Sequence, residues 1–220
     1  MTHFPWRPRL STLRRVPGKL PVPGDGNCML HAWIVTFGSD IHVDELRANI
    51  CRTMRASTPS DVWRRDELYD LQAPTNVDRE ALEWERLATM AEPAQRSPPY
   101  LRWVHARALA INTGVILVLL TEHSSMRIAA GSSTQTSLTV PDLVTVFLPD
   151  PESDYAGVQE SATSHRGRDP TTHTYSGNRF TWEDFLAFWH ALPPADKNTA
   201  CILIFDGGQL HYSGTRLQVE

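Results

Sequence analysis

Lysine is nearly missing from this chain. Lys19 and Lys197 are its only two lysines, and arginine carries the rest of the basic charge. Cysteine is scarce as well. Cys28, Cys51 and Cys201 have no paired spacing, which excludes a disulfide framework and a cysteine-built zinc site. Such cysteine use fits a reducing compartment, where a free thiol persists. No long apolar run occurs. The longest, Val115 to Leu120, is far too short to span a bilayer, and the N-terminus lacks the apolar core of a secretion signal. Acidic residues are absent from positions 1–24, a stretch that carries Arg7, Arg9, Arg14, Arg15 and Lys19. Across the whole chain the net charge is −4, so nothing marks it as a general binder of nucleic acid.

What is present suits a globular domain. The chain has 220 residues, 41% hydrophobic and 21% charged, enough for one good-sized core. Residues 1–20 are rich in Pro and Arg without amphipathic period, and read as an extended basic arm. Residues 21–220 then form the folded domain. The polar run around 149–178 has no period and reads as an insertion. His165 and His173 lie in it without a ligand pattern around them, so neither metal nor cofactor is expected.

Two stretches carry the chemistry. The first is Pro23-Gly24-Asp25-Gly26-Asn27-Cys28-Met29-Leu30-His31-Ala32. Gly24 and Gly26 suit a tight loop whose amides point inward, and the apolar run after it reads as a buried helix starting at Cys28. A cysteine at a helix N-terminus sits at the positive end of the dipole, which favours thiolate. Loop amides beside such a nucleophile can hold the oxyanion of an acyl-transfer transition state. A buried structural cysteine behind an ordinary turn explains the same letters. The second stretch lies near the C-terminus. Ile202 to Phe205 is an apolar run, Asp206-Gly207-Gly208-Gln209 a turn signal, and His211-Tyr212-Ser213 a returning strand. A Cys loop and a distant strand His spell a Cys–His pair that meets only in the fold.

Pro-Gly-Asp-Gly-Asn-Cys followed by Met-Leu-His-Ala, with a late apolar strand, a turn and His211-Tyr212, resembles the ovarian-tumour (OTU) family of cysteine proteases. The resemblance runs from about Val22 to Leu217. It implies a papain-like α/β (α+β) fold, a small central β-sheet flanked by helices. It implies a thiol-dependent deubiquitinase acting at the C-terminus of ubiquitin, polyubiquitin or a ubiquitin-like protein. Cys28 would be the nucleophile, His211 the general base, and Asp25 a residue shaping the oxyanion hole. The amides of Asp25 to Cys28 would be the oxyanion donors. Family members often place Asp or Asn two residues after the His. This chain has Ser213 there, a neutral hydroxyl that shares a strand face with His211. The third member is thus open between a dyad, a Ser213-assisted triad and a donor from elsewhere, with Asn178 and Asp184 as candidates and Asp206 placed poorly at the turn. Tyr212 and Trp33 are candidate walls for the channel of a Gly-Gly tail, with core packing as the competing explanation. Scarce lysine would limit self-modification by ubiquitin, although arginine-biased codon use is the favoured explanation of the same count. The expected setting is a monomer in the cytoplasm, or the host cytosol for a pathogen. An OTU-like module that binds ubiquitin without cleaving it, and acyl-cysteine chemistry such as deamidation or transfer, are the alternatives.

The remaining elements follow from periodicity. A helix is expected at 28–37 with Gly38 as C-cap, and His31 in it as a packing or hydrogen-bonding residue. A second, Val43 to Met54, has Leu46, Ile50 and Met54 inside, and Glu45, Arg47 and Arg52 outside. Asp61 is expected to cap Val62–Leu71, and Asn76 to cap Val77–Met90. In the latter Leu82, Arg86 and Met90 share a face that Trp84, Leu87 and Ala88 broaden. Trp63 and Trp84 are expected in the core. Tyr100–Ile111 reads as a helix with a structural His105, Val115–Leu120 and Leu143–Leu148 as strands, and Trp182–Ala191 as a helix capped by Thr181.

Overall fold

The computed structural model describes residues 18–70, 77–93, 98–122, 143–152, 178–192, 200–206 and 211–216. Most of the basic arm, the insertion with His165 and His173, the Asn76 cap and the turn at Gly207 lie outside them.

The chain builds one mixed sheet between two unequal sets of helices. Its strands are β1 (Gly18–Leu20), β2 (Ile116–Glu122), β3 (Leu143–Phe147), β4 (Asn178–Phe180), β5 (Ala200–Asp206) and β6 (His211–Arg216). Their spatial order is β1-β6-β5-β2-β3-β4. β2 and β5 are parallel, and the other pairs are antiparallel. Alternation explains why β2 is apolar from Ile116 to Leu120. Leu117 and Leu119 enter a core with α1 (Cys28–Phe37), α2 (Val43–Ala56), α4 (Val77–Met90) and α5 (Trp103–Thr113). Ile116, Val118 and Leu120 enter a second core on the opposite face, under α6 (Trp182–Ala191). A strand buried on both faces has no polar side to keep. Each large side chain so buried contributes about 1.5–3 kcal/mol.

The mixed α/β class and the sheet flanked by helices are as the sequence implies. α1 spans 28–37, and Gly38 ends it in the left-handed region at φ 69°. Thr181 caps α6 by accepting the Asp184 amide. α3 (Val62–Asp70) departs in its cap, because the Asp61 carboxylate accepts the amide and hydroxyl of Thr58 instead. In α4, Trp84, Leu87 and Ala88 form the buried face, whereas Leu82 is 72% exposed. Trp84 packs edge-on against Trp63, and both are core residues. Tyr100 precedes α5 rather than starting it. His105 is fully buried, accepting the Arg102 amide at Nδ1 and donating from Nε2 to the Leu87 carbonyl.

One boundary also moves. The arm drawn over 1–20 ends inside the sheet, since Gly18–Leu20 pairs with Gly214–Arg216. The physical reason is the open edge of β6, whose unpaired backbone groups need a partner.

Candidate active site

The site forms where the loop before α1 crosses the start of β6. Gly26 makes the loop possible. It has φ 84°, and a Cβ there would come within 2.1 Å of the Pro98 carbonyl oxygen, so no other residue fits. Asp25 then ties the loop to itself. Its Oδ1 accepts the Asn27 amide at 2.9 Å, and its Oδ2 lies 3.1 Å from Nε2 of His31 one turn into α1. From the side, the Tyr100 hydroxyl donates to the Gly24 carbonyl at 3.2 Å.

Cys28 opens α1 and is 1% exposed. No side chain caps this helix. The backbone amides of Tyr212 in β6, of Met29 and of Cys28 itself favour the ionised sulfur. Burial pushes the thiol up from its ordinary value, and the negative charge of Asp25 adds to the rise. The three amides offset only part of it. The helix N-terminus therefore does not yield the thiolate that sequence position suggests: desolvation is the larger effect, and the resting group is a thiol.

His211 is the first residue of β6 and half-buried. It packs against the same loop. A Cβ on Gly24 would sit 3.7 Å from Nδ1 and 3.9 Å from Cε1 of His211. Gly24 is on the loop before Cys28, and Tyr212, whose amide favours the Cys28 thiolate, follows His211, so this loop and the start of β6 form one junction. The junction is anchored farther along β6. Thr36 of α1 accepts the Thr215 amide through Oγ1 at 2.8 Å, and Gly214 leaves space for Val35, Thr36 and Ala32.

The register sorts the other candidates. Asp206 stands opposite His211 and Ile204 opposite Ser213. Cross-strand partners and i, i+2 neighbours share a face, so His211, Ser213 and Asp206 lie on one side of the sheet. Asp206 is therefore adjacent to His211, contrary to the expectation that the turn would place it poorly. Asn178 belongs to β4, with β3, β2 and β5 between it and β6, about 19 Å at ordinary strand spacing. Asp184 is on α6, which packs against β3 and β4. Neither is near His211. Tyr212 and Trp33 are core residues, 3% and 4% exposed, so core packing explains them.

Sequence reasoning missed one residue. Periodicity put Arg47 outside α2, yet it is 1% exposed. Its guanidinium donates through Nε to Oδ1 of Asn27, through Nη1 to the Met90 carbonyl at 2.8 Å, and through Nη2 to the carbonyls of Gly26 at 3.2 Å and Pro99 at 3.0 Å. An arginine following a buried Leu46 gave no signal of this.

Among the described residues, no group of three or more His, Cys, Asp or Glu could hold a metal ion. No helix among them is long and apolar enough to cross a membrane.

No protein-family model and no curated protein matches the chain. Solved structures do. An OTU deubiquitinase from Wolbachia pipientis wMel aligns over 90% of this chain and 87% of its own, at 11% identity and a TM-score of 0.49. A structure of an OTU deubiquitinase from the same source bound to ubiquitin aligns over 90% and 94%, at 11% identity and 0.44. The viral OTU domain protease from Farallon virus aligns over 91% and 84%, at 15% identity and 0.45.

Proposed function

We propose that the chain is a thiol-dependent deubiquitinase of OTU type, cleaving isopeptide bonds at the C-terminus of ubiquitin, of polyubiquitin or of a ubiquitin-like protein. The observation that carries the reading is the junction itself. A cysteine at a helix N-terminus and a histidine at a strand start, 183 positions apart by residue number (211 − 28), share one loop. The Gly-Asp-Gly-Asn-Cys motif with its OTU resemblance names the substrate class.

Cys28 starts as a thiol, so attack needs a base. His211 takes the proton as Sγ adds to the carbonyl carbon, and the carbonyl oxygen becomes an oxyanion. The Asn27 amide is engaged by Asp25, which leaves the other loop amides and the Cys28 amide to face that charge. Collapse expels the lysine amine, which leaves with the proton from His211. Water then hydrolyses the thioester with His211 again as base. Ser213 or Asp206 orients the imidazole. The chain acts as a monomer in a reducing compartment.

Incubating wild type and Cys28→Ala with a panel of di-ubiquitins tests this. Cleavage by wild type alone is the expected result. Retained ubiquitin binding without cleavage of any linkage would replace the reading with a binding module, and a transferred rather than hydrolysed product would assign acyl transfer.

A further inference from the structure

A buried arginine is expensive unless its donors are used and its charge is answered. Burial works against the Arg47 guanidinium, and the charges of Asp25 and Asp44 offset part of that. All its hydrogen bonds named above go to neutral oxygens, and two of the four belong to the residues just before Cys28. That concentration needs a reason beyond filling space.

The Gly26–Asn27 peptide supplies one. It is trans, so its carbonyl and its amide point in opposite directions. Arg47 Nη2 holds the carbonyl, and Asp25 Oδ1 holds the amide. The peptide plane is therefore gripped from both ends. Nε holds the Asn27 side chain, which keeps it from capping α1 and leaves the first helical amides for the Cys28 sulfur and whatever binds beside it. The remaining bonds, to Met90 and Pro99, tie this grip to the end of α4 and to the segment whose Pro98 carbonyl faces Gly26.

We infer that Arg47 is a positioning residue for acyl transfer at Cys28: it clamps the Gly26–Asn27 peptide against Asp25, so that the amides at Cys28 meet the oxyanion without reorganising. The inference rests on Cys28 being an acyl-transfer nucleophile, whatever the natural acyl group. Lysine at position 47 keeps a charge but lacks the planar fork that reaches four oxygens at once. Loss of about 1 Å in placement costs on the order of 100-fold in rate.

The test compares two small reagents on the same thiol in the full chain. With p-nitrophenyl acetate, Sγ adds to the acetyl carbonyl, an oxyanion forms, p-nitrophenolate leaves and the thiol proton is released. With iodoacetamide, Sγ displaces iodide at carbon and no oxyanion forms. The ratio of the Cys28 rate constants cancels changes in thiolate fraction and in access, once the Cys28→Ala background is subtracted. Arg47→Lys is expected to lower the ratio at least tenfold. Arg55→Lys, an exposed partner of Glu85 and Glu92 on the same helix, is expected to leave it unchanged. Asn27→Ala, which removes one acceptor and keeps the three carbonyl bonds, is expected to lower it several-fold, and serves if Arg47→Lys does not fold. A ratio unchanged in either folded variant, or one lowered equally by Arg55→Lys, would overturn the inference. Because neither reagent involves ubiquitin, failure of the deubiquitinase reading shows separately, as wild type that acylates but cleaves no di-ubiquitin.

Discussion

His31 Nε2 lies 3.1 Å from Asp25 Oδ2, across the loop that leads into Cys28. The contact makes one unit of the nucleophile's helix and the loop before it. Partial burial opposes the Asp25 charge, yet the Asn27 amide and the His31 ring outweigh it and hold the carboxyl below its usual range. Asp25 therefore stays ionised next to a thiol whose ionisation it disfavours.

That pairing sets the pH dependence of Cys28. Alkylation of wild type by iodoacetamide is expected to keep rising past pH 9, because the thiol is raised above its ordinary value of 9.0. Asp25→Asn removes the opposing charge and moves the midpoint down. A wild-type midpoint below pH 8 would contradict the burial argument, and stopped alkylation assays at fixed pH values measure it.

Ser213 and Asp206 make different demands as partners of His211. A hydroxyl orients the imidazole without charge, whereas a carboxylate also stabilises imidazolium. If Asp206 acts across the strand, Asp206→Asn lowers kcat by 100-fold or more, on the order seen for a mis-set tautomer, and Ser213→Ala by only a few-fold. The reverse order assigns the role to Ser213. Both are read as kcat against KM on a fluorogenic ubiquitin substrate.

Glycine substitutions separate strain from crowding. At Gly214 a Cβ would meet Val35 Cγ2 at 2.5 Å and Thr36 Oγ1 at 2.9 Å, so Gly214→Ala pushes α1 from β6 and costs about 1–3 kcal/mol. Gly38→Ala meets nothing within 4 Å and carries only the left-handed backbone penalty, about 1–2 kcal/mol. Activity at saturating denaturant-free conditions is expected to fall for Gly214→Ala and to hold for Gly38→Ala. Urea midpoints give the stability differences.

His105 makes the fold acid-sensitive. Burial, with the nearby Arg47 charge, lowers it from 6.5 to about 4, against the bonds to Leu87 and Arg102. The unfolded chain takes up the proton first as pH falls, so the stability is present above pH 6.5 and is lost as pH falls toward 4. The loss between pH 7 and pH 5 is about 2 kcal/mol for this residue. His105→Gln keeps an acceptor for Arg102 and a donor for Leu87, and is expected to flatten that slope in urea titrations.

Local patterns were enough for much of this protein. The reach of α1 from Cys28 to Gly38 is written in an apolar run between a polar loop and a helix-ending glycine. The β5–β6 hairpin is written in alternation around a turn, which places His211 on a strand start. The apolar stretch at 115–120 declares a strand covered on both faces. Such features depend on neighbours within a few residues, so sequence alone determines them.

Arg47 shows what it does not determine. Its partners lie 20 to 52 positions away, and helical period alone assigns a charged residue to solvent. Leu82 errs the other way, apolar by letter and exposed because α4 turns Trp84 and Leu87 inward. Whether Cys28 rests as thiol or thiolate was likewise decided by the tertiary structure. The helix dipole is a local property, but the desolvation that exceeds it comes from α1 closing on β6, and the placement of Asp206 beside His211 comes from a register between strands.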